Sequence, residues 1–521
     1  MLLRKSSVFL VIAGMILVAT AFKMFEPAPA NSSADDKIDK NKAFAEAADS
    51  YFQAVLDELG AVPGLSIAVV KDDEPVYVKG FGYANLEKKQ KVDVNTIFYI
   101  ASCTKSFTSL LAMRLDEKGI IMLDDPITKY LPEVKFDPKL EADKVTIRDL
   151  MRHTSGLDNS AVVFRTAYSG EHNLKTLIQL LDHTQANRAG RGNYQYTNFG
   201  YNLYSIIVDK VTGKPWQDWL EEEIFTPLSM DHTTAYISKV KKHNWNLALP
   251  YQGVIGQPIK EIKLIKTDKS MQAAGGLITT AADAANWLEM QINMGKLNGK
   301  QVFPKDMIAY THQKLIDTKT GERAEGEIGR EYYGMGWIIG DFKGHTIVSH
   351  GGGYPGYRTF ISFDPEARIG VAVAANEGLW GDNVGNLFME FAYDWWYGET
   401  DMEQKYEQKK KDLIEHATNL SKRFAAHDKE REERTWQLDE PFTAYTGTYV
   451  SELLGTVKVK GHKDKLEVEM GNLHCIAEPY TDKNTIRVEL VPGSGEVIKF
   501  KYENGKLVGA ENGGVFFKKV K

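Results

Sequence analysis

The sequence predicts an α/β domain, an antiparallel sheet flanked by helices with an all-helical insert, followed by a small all-β domain. Three observations carry this. Two strand signals stand near the N-terminal end, at Leu65–Val70 and Val76–Phe81, around a turn at Asp72-Asp73-Glu74-Pro75. Four more, Tyr333–Ile339, His345–His350, Tyr357–Phe363 and Ile369–Ala375, return only after a long helical and loop-rich interval, separated by short turns of the kind antiparallel pairing uses. After Leu438 the pattern changes to alternation at Val457/Val459, Leu466/Val468/Met470, Ile486/Val488/Leu490 and Ile498/Phe500/Tyr502, with turn residues at Asn504-Gly505 and Asn512-Gly513.

In chain order, Arg4 and Lys5 precede an uncharged apolar run from Val8 to Phe22, with Ala19-Thr20-Ala21 as a small-x-small cleavage site. That layout predicts a secretory signal peptide over 1–21 and a periplasmic or secreted protein. An uncleaved signal anchor is the alternative, because Lys23 follows directly, and it would be the chain's one tie to a membrane. Residues 22–39 read as a flexible segment. A helix fits Phe44–Leu59, with Phe52, Val55, Leu56 and Leu59 on one face. The first domain is placed at 40–398 and closes with an aromatic-rich helix, Gly381–Trp396. Residues 399–438, strongly charged and containing Lys409-Lys410-Lys411, read as a solvent-exposed linker helix. Residues 439–521 form the all-β domain, a barrel.

The chain of 521 residues is too long for one hydrophobic core. Its net charge of −6, with acids and bases interspersed, lacks the basic footprint of a nucleic-acid binder. Two cysteines, Cys103 and Cys475, exclude a disulfide scaffold and a multi-cysteine metal site. No cofactor and no metal are expected.

The chemistry concentrates in three places. In Ser102-Cys103-Thr104-Lys105, the apolar residues Phe107, Leu110, Leu111 and Leu115 that follow fall at helical spacings, so Ser102 stands near a helix start. A residue three places on returns to the same face, which lets the Lys105 amine reach the Ser102 hydroxyl. A serine becomes nucleophilic when a base removes its proton, and a lysine serves as that base once burial holds it neutral. Ser238-Lys239-Val240-Lys241 has the same spacing but lies in a lysine-rich polar stretch. The second place is Tyr196-Thr197-Asn198, a phenol to relay a proton and an amide to orient a substrate, with decoys of the same spacing at Tyr83 and Tyr502. The third is His350-Gly351-Gly352-Gly353, where glycines on a strand admit a substrate backbone. Gly351–Gly356 also fits a dinucleotide-binding glycine pattern, which fails because Pro355 lies inside it and a strand follows where a helix should.

Taken in order, these elements resemble the Ser-x-x-Lys, Ser-Asp-Asn and Lys-Thr-Gly signature of serine β-lactamases and penicillin-binding proteins, with Tyr-x-Asn and His-x-Gly as variants. The sequence looks like the class C β-lactamase-related branch, which includes D-aminopeptidases, D,D-peptidases and esterases. Leu123-Asp124-Asp125-Pro126, Thr146–Leu157 around His153-Thr154-Ser155-Gly156, Pro227–Met230 and Ala274-Gly275-Gly276-Leu277 agree with that family, each read as structural. The resemblance spans roughly 45–395. It implies a β-lactamase/transpeptidase-like fold in which Ser102 is acylated, Lys105 and Tyr196 move its proton, and Asn198 and His350 bind substrate. The backbone amides of Ser102 and Gly353 would form the oxyanion hole. The C-terminal domain resembles lipocalin-like barrels appended to some D-amino-acid-specific peptidases of the family.

The resemblance implies an exported serine hydrolase acting through an acyl-serine on a small peptide, amide or ester, with a homo-oligomer left open. The competing readings are a penicillin-binding sensor that acylates without turnover and a true class C β-lactamase. His350 stands where a lysine is usual, and a neutral imidazole does not attract a carboxylate as a cation does. The sequence therefore predicts a preference for substrates without a free C-terminal carboxylate. It also predicts that a fluorophosphonate or penicillin probe adds once to Ser102: intact-mass analysis should show one adduct on the wild type and none on Ser102→Ala, and equal labelling of both would refute the assignment.

Overall fold

The computed structural model describes residues 34–264, 266–321, 327–462 and 464–520. The predicted signal peptide lies outside them, as does residue 22–33 of the segment read as flexible. The remainder of that segment is helical: α1 runs Ala34–Leu59, and Lys37 meets Glu74 at 3.0 Å. Its polar composition is that of a helix end with Ile38 and Asp39 in solvent, which the sequence reading took for coil.

The main sheet has nine antiparallel strands: β1 (Gly64–Lys71), β2 (Glu74–Asn85), β3 (Gln90–Lys91), β4 (Ile316–Asp317), β5 (Tyr332–Tyr333), β6 (Ile338–Phe342), β7 (His345–Tyr354), β8 (Tyr357–Asp364) and β9 (Ile369–Ala375). Their order across the sheet is β4-β5-β6-β7-β8-β9-β1-β2-β3, so the two ends of the domain meet where β9 pairs with β1. Alternation splits β1 between two cores. Ile67 and Val69 face α1 and α5 (Gly381–Tyr397), where Phe52 and Phe388 rings lie 4.6 Å apart. Ala68 and Val70 face the core built around α2 (Thr104–Glu117), α3 (Phe199–Thr212) and α4 (Ala281–Ile292). Both faces of the sheet centre are covered, which explains why β9 is apolar at every position but Gly370.

Two strand boundaries depart from the sequence reading, each for a reason near the site. Tyr333–Ile339 is not one strand but β5 and β6, separated by a turn at Gly334–Trp337. Gly336 in that turn has φ +77°, and a Cβ there would stand 2.6 Å from the Lys105 carbonyl oxygen, so the sheet opens to admit α2. Conversely, β7 runs on through the glycines to Tyr354, paired with β8 throughout.

The predicted linker helix exists, as α6 (Met402–Glu432), but its description as a solvent-exposed connector is corrected. Met402, Tyr406, Leu413 and Ala417 are buried in the α1/α5 core. Lys409 pairs with Glu390 at 2.7 Å and Lys410 with Glu58 at 3.2 Å, so two of the consecutive lysines are bound to the first domain. The interleaved charges hid an apolar stripe spaced at four, seven and four residues.

The C-terminal domain is a second nine-stranded antiparallel sheet: β10 (Gly447–Ser451), β11 (Gly455–His462), β12 (Lys465–Met470), β13 (Leu473–Ile476), β14 (Glu478–Pro479), β15 (Thr485–Val488), β16 (Glu496–Glu503), β17 (Lys506–Asn512) and β18 (Val515–Lys519). The order is β13-β12-β11-β10-β18-β17-β16-β15-β14. Its two edge strands, β13 and β14, are separated in the chain by Ala477 alone, so the edges must stand side by side and the sheet curls into a nearly closed barrel. Tyr449, Leu466, Val468, Phe500 and Phe517 fill the interior. Asn504 and Gly505 both have positive φ, as a type I′ hairpin requires. The second predicted turn sits one residue later, at Gly513-Gly514, because Asn512 still pairs with Val515. Cys103 and Cys475 are both free, one in each domain.

Tyr406 decides what α6 is. Its hydroxyl donates to Asp394 at 2.9 Å, its carbonyl accepts from Tyr51 at 2.7 Å, and its ring packs on Phe391 at 4.9 Å. Tyr406→Ala should destabilise the first domain by about 3 kcal/mol, read as a shift in its thermal or denaturant midpoint. An exposed linker residue would move it by less than about 0.5 kcal/mol.

Candidate active site

The chain enters the site through a strained turn. From the short strand Phe98–Tyr99 it passes Ile100 at φ −100°, ψ 1°, then Ala101 at φ +45°, and a single 3₁₀ turn over Ala101–Cys103 leads into α2. A non-glycine residue held at positive φ costs about 1–2 kcal/mol, and here it aims Ser102 outward from the helix start. The turn is bolted to its surroundings: the Cys103 thiol donates to the His350 carbonyl at 3.1 Å, the Leu277 N–H donates to Thr104 Oγ1 at 3.0 Å, and Thr108 donates to the Ala273 carbonyl at 2.8 Å.

Lys105 is fully buried, and its Nζ has three oxygen neighbours: Ser102 Oγ at 3.2 Å, Asn198 Oδ1 at 2.8 Å and the Ala274 carbonyl at 2.7 Å. Burial pulls its pKa down to about 7. A neutral amine has two N–H donors and one lone pair. The two carbonyl oxygens can only accept, so they take both N–H groups and leave the lone pair facing the Ser102 hydroxyl. Ala274 was read as structural from the sequence; its carbonyl is part of the lysine's setting.

Tyr196 and Asn198 lie on the segment before α3. Lys105 Nζ stands 4.8 Å from the centre of the Tyr196 ring, and Tyr196 hydrogen-bonds with Ser102. Desolvation pushes the phenol's pKa well up, with the Ser102 bond opposing it, so Tyr196 stays protonated at neutral pH. Asn198 spends its Oδ1 on Lys105, which leaves its NH₂ for a substrate oxygen. Beneath them, His153 packs on the Tyr196 ring at 4.4 Å, and its Nδ1 accepts from the Thr197 N–H at 3.3 Å. The decoys stand elsewhere: Tyr83 on β2, Tyr502 on β16, and Ser238 on a short helix over Ile237–His243.

His350 lies in the wall of the site with its charge suppressed. Burial first, and the nearby Lys105 amine second, push its pKa down to about 3. Its Nδ1 donates to the Gly351 carbonyl at 2.7 Å, which leaves Nε2 to accept from the Tyr333 hydroxyl at 3.3 Å. Both ring nitrogens are thus engaged within the protein, and His350 meets the cleft as a neutral wall. Beyond it, a Cβ at Gly352 would stand 2.1 Å from the Ile100 carbonyl oxygen and 3.1 Å from the Ser102 amide nitrogen. Only glycine lets β7 press against the nucleophile turn so closely, and the next residue, Gly353, is exposed at the mouth of the site.

The site opens into a cleft of about 670 Å³, a size suited to a small organic ligand. Tyr194, Tyr196, Phe360, Arg330, Arg358 and Asp382 are among its walls. Arg358, the residue whose place after the glycines makes it the sequence's candidate to stand in for the missing lysine, donates to Asp382 at 2.8 Å and to the Tyr357 carbonyl at 2.9 Å. Arg330, Asp382 and Tyr333 carry no motif, so nothing local in the sequence assigns them to the site.

An antiparallel sheet between helical layers, with Ser102 and Lys105 on a helix start, Tyr196-x-Asn198 facing them and a glycine strand alongside, defines a β-lactamase/transpeptidase fold with a Ser-x-x-Lys centre. The Beta-lactamase family model matches residues 52–389, and the chain belongs to that family. It is 26% identical over 320 residues to protein flp of Staphylococcus aureus (strain MW2), covering 61% of this chain and 60% of that protein. It is 24% identical over 369 residues to the unguisins hydrolase ungD' of Aspergillus campestris, covering 66% of each. Among solved structures it is similar to the octameric penicillin-binding protein homologue from Pyrococcus abyssi, with a TM-score of 0.56 and 23% identity over 90% of this chain and 99% of that one. The D-amino acid amidase from Ochrobactrum anthropi SV3 gives a TM-score of 0.52 and 20% identity over 72% of this chain and 99% of that one.

If neutral Lys105 is what activates Ser102, protonating it must silence the serine. The rate of Ser102 labelling by a fluorophosphonate should fall as pH drops through about 7 and level off above it, following the lowered Lys105 pKa. A rate that is flat between pH 5 and 8 would remove Lys105 as the base.

Proposed function

We propose that this protein is an exported serine hydrolase that cleaves a small peptide, amide or ester through an acyl-Ser102 intermediate. The observation that carries the reading is the Lys105 amine, buried and 3.2 Å from Ser102 Oγ with its other two partners both carbonyl oxygens. The sheet register supports it. β6 pairs with β7 only as far as Ser349, whereas β8 accompanies β7 to Tyr354, so from His350 onward one edge of β7 is free of a strand partner. A substrate amide can lie along that edge beside Ser102.

In this reading the substrate carbonyl oxygen points at the Ser102 and Gly353 amides. Ser102 Oγ bonds to the carbonyl carbon as its proton passes to Lys105 Nζ, and the oxyanion collapses by breaking the bond to the leaving nitrogen or oxygen. Tyr196, protonated at neutral pH, gives its proton to the leaving group and is replenished from Lys105. Water then attacks the acyl-serine by the reverse proton route. Asn198 holds the substrate amide through its NH₂. The likeness to a D-amino acid amidase and to a hydrolase of unguisins supports an amide-type substrate. The apolar run after Arg4 and Lys5 supports export to the periplasm or beyond. The octameric structural neighbour supports a homo-oligomer.

His350 is uncharged, and Arg358 is already paired with Asp382, so a substrate carboxylate gains little from either. The test is a panel of D-amino-acid amides, matched D-Ala-D-Ala acids, short-chain esters and a chromogenic cephalosporin. Amides or esters should turn over with kcat/KM roughly tenfold above the matched acids. Tyr196→Phe should lower kcat by roughly a hundredfold while Tyr83→Phe leaves it near wild type. Labelling of Ser102 without turnover of any substrate would leave a one-shot acylation sensor in place of a hydrolase.

A further inference from the structure

The cleft lined by Tyr196, His350 and the glycines of β7 does not end at Gly353. A second cavity, of about 470 Å³, shares Gly353 and Arg358 with the first and continues beyond the end of β7. Gln252, Ile262, Tyr354, Pro355 and Leu379 wall it from the first domain, and Pro492 with Gly493 walls it from the barrel. We propose that this chamber is an extended subsite of the same active site, which takes an uncharged apolar residue of a peptide-like substrate and whose far wall is built by the barrel. The proposal rests on the acyl-transfer reading above and adds to it the length and polarity of the substrate.

Three observations carry it. First, the two cavities meet at a fixed junction. A Cβ at Gly353 would stand 3.4 Å from Arg358 Nη1, and that guanidinium is held by Asp382 at 2.8 Å and by the Tyr354 and Tyr357 carbonyls at 3.2 and 2.9 Å.

Second, the barrel is clamped to the segment at 165–171, whose helical turn Arg165–Ser169 packs on the end of β7. Arg165 donates to the Leu453 carbonyl at 2.7 Å and the Glu452 carbonyl at 2.8 Å, and the Thr456 N–H donates to Glu171 at 3.0 Å. The Asn472 N–H donates to the Ser169 carbonyl at 2.9 Å. Between these points Tyr168 stacks on Tyr354, the last residue of β7, at 5.7 Å with rings 14° apart. The turn that reaches the chamber is stiff as well, with the Ser494 N–H on the Val491 carbonyl at 3.0 Å and the Gly493 N–H on Glu489 at 2.7 Å. A wall so held keeps its shape when the substrate arrives, which is what a specificity pocket needs.

Third, the lining fits an apolar group. Among the described residues that wall the chamber, Arg358 carries the charge, and apart from it, Gln252 and the glycines the side chains are those of Ile262, Tyr354, Pro355, Leu379 and Pro492. An aspartate placed there would lose hydration and meet only Arg358, already held by Asp382, whereas a leucine would leave water favourably.

The experiment uses the full chain and a series of D-amino-acid amides and esters, each extended by leucine or by aspartate on one side of the scissile bond and then on the other. Leucine on one of the two sides should raise kcat/KM roughly tenfold or more, and aspartate should not. Pro492→Trp and Gln252→Trp fill the chamber from opposite walls, and each should cut the ratio of extended to unextended kcat/KM by roughly tenfold; either one suffices if the other does not fold. A wild type that hydrolyses the unextended substrates yet gains nothing from leucine on either side overturns the subsite alone, as does an unchanged ratio in a folded variant. A wild type inert toward every unextended substrate overturns the acyl-transfer reading and the subsite with it.

Discussion

The buried Lys105 amine is the constraint from which the rest of the site is arranged. Taking an ammonium out of water without a counterion is expensive, and a protein escapes the expense by letting the group lose its proton. Among the described residues no carboxylate hydrogen-bonds to Lys105 Nζ; its partners are a hydroxyl, a side-chain amide oxygen and a backbone carbonyl. That choice holds the amine near neutrality, and it needs three separate parts of the chain to converge on one nitrogen: the start of α2, the residue before α3, and the turn at Ala274.

Convergence of that kind requires backbone to approach backbone, and this explains where side chains are forbidden. Gly336 clears the Lys105 carbonyl, Gly352 clears the Ile100 carbonyl, and a Cβ at Gly276 would stand 2.4 Å from the backbone of the turn leading to Ala274. Ala101 is the exception that tolerates positive φ, directly before the serine. The same crowding sets the charge state of the neighbours. His153 and His350 are both desolvated and both held down further by Lys105. A cluster of one lysine and two imidazoles can therefore pack together around neutral pH with little mutual repulsion.

Much of this was legible in the sequence because it is local. Ser102 and Lys105 are one helical turn apart, Tyr196 and Asn198 two residues apart, and the glycines adjoin one another, so each piece announces itself over a few residues. What depends on contacts between distant segments was not legible. The alternation from Tyr333 to Ile339 reads as one strand, and only Gly336 against Lys105 shows why it breaks. The acids and lysines of α6 read as a solvated face until Glu58, Glu390 and Asp394 appear opposite them. The sequence shows that His350 is not a lysine, but not that Gly351 and Tyr333 have claimed its two nitrogens. The barrel was visible from its alternating strands, while its near-closure follows from two edge strands, one of them only Glu478–Pro479, too short to register as a pattern.

The barrel's attachment shows how a second domain can serve a site whose chemistry lies entirely in the first. Most of the polar contacts that seat it use backbone: Arg165 reads two carbonyls, Asn472 gives an N–H to a carbonyl, and Thr456 gives an N–H to Glu171. Such contacts fix position while asking little of the side chains at the barrel's turns. The turn at Pro492 and Gly493 takes no part in those contacts, so its residues can differ without loosening the joint. A catalytic centre as crowded as the one around Lys105 has no such freedom, because almost every residue in it is already committed to holding a neighbour. Surfaces that support no part of the lysine's setting carry no such commitment, and the barrel turn at Pro492 and Gly493, on the cavity that adjoins the cleft at Gly353 and Arg358, is one of them.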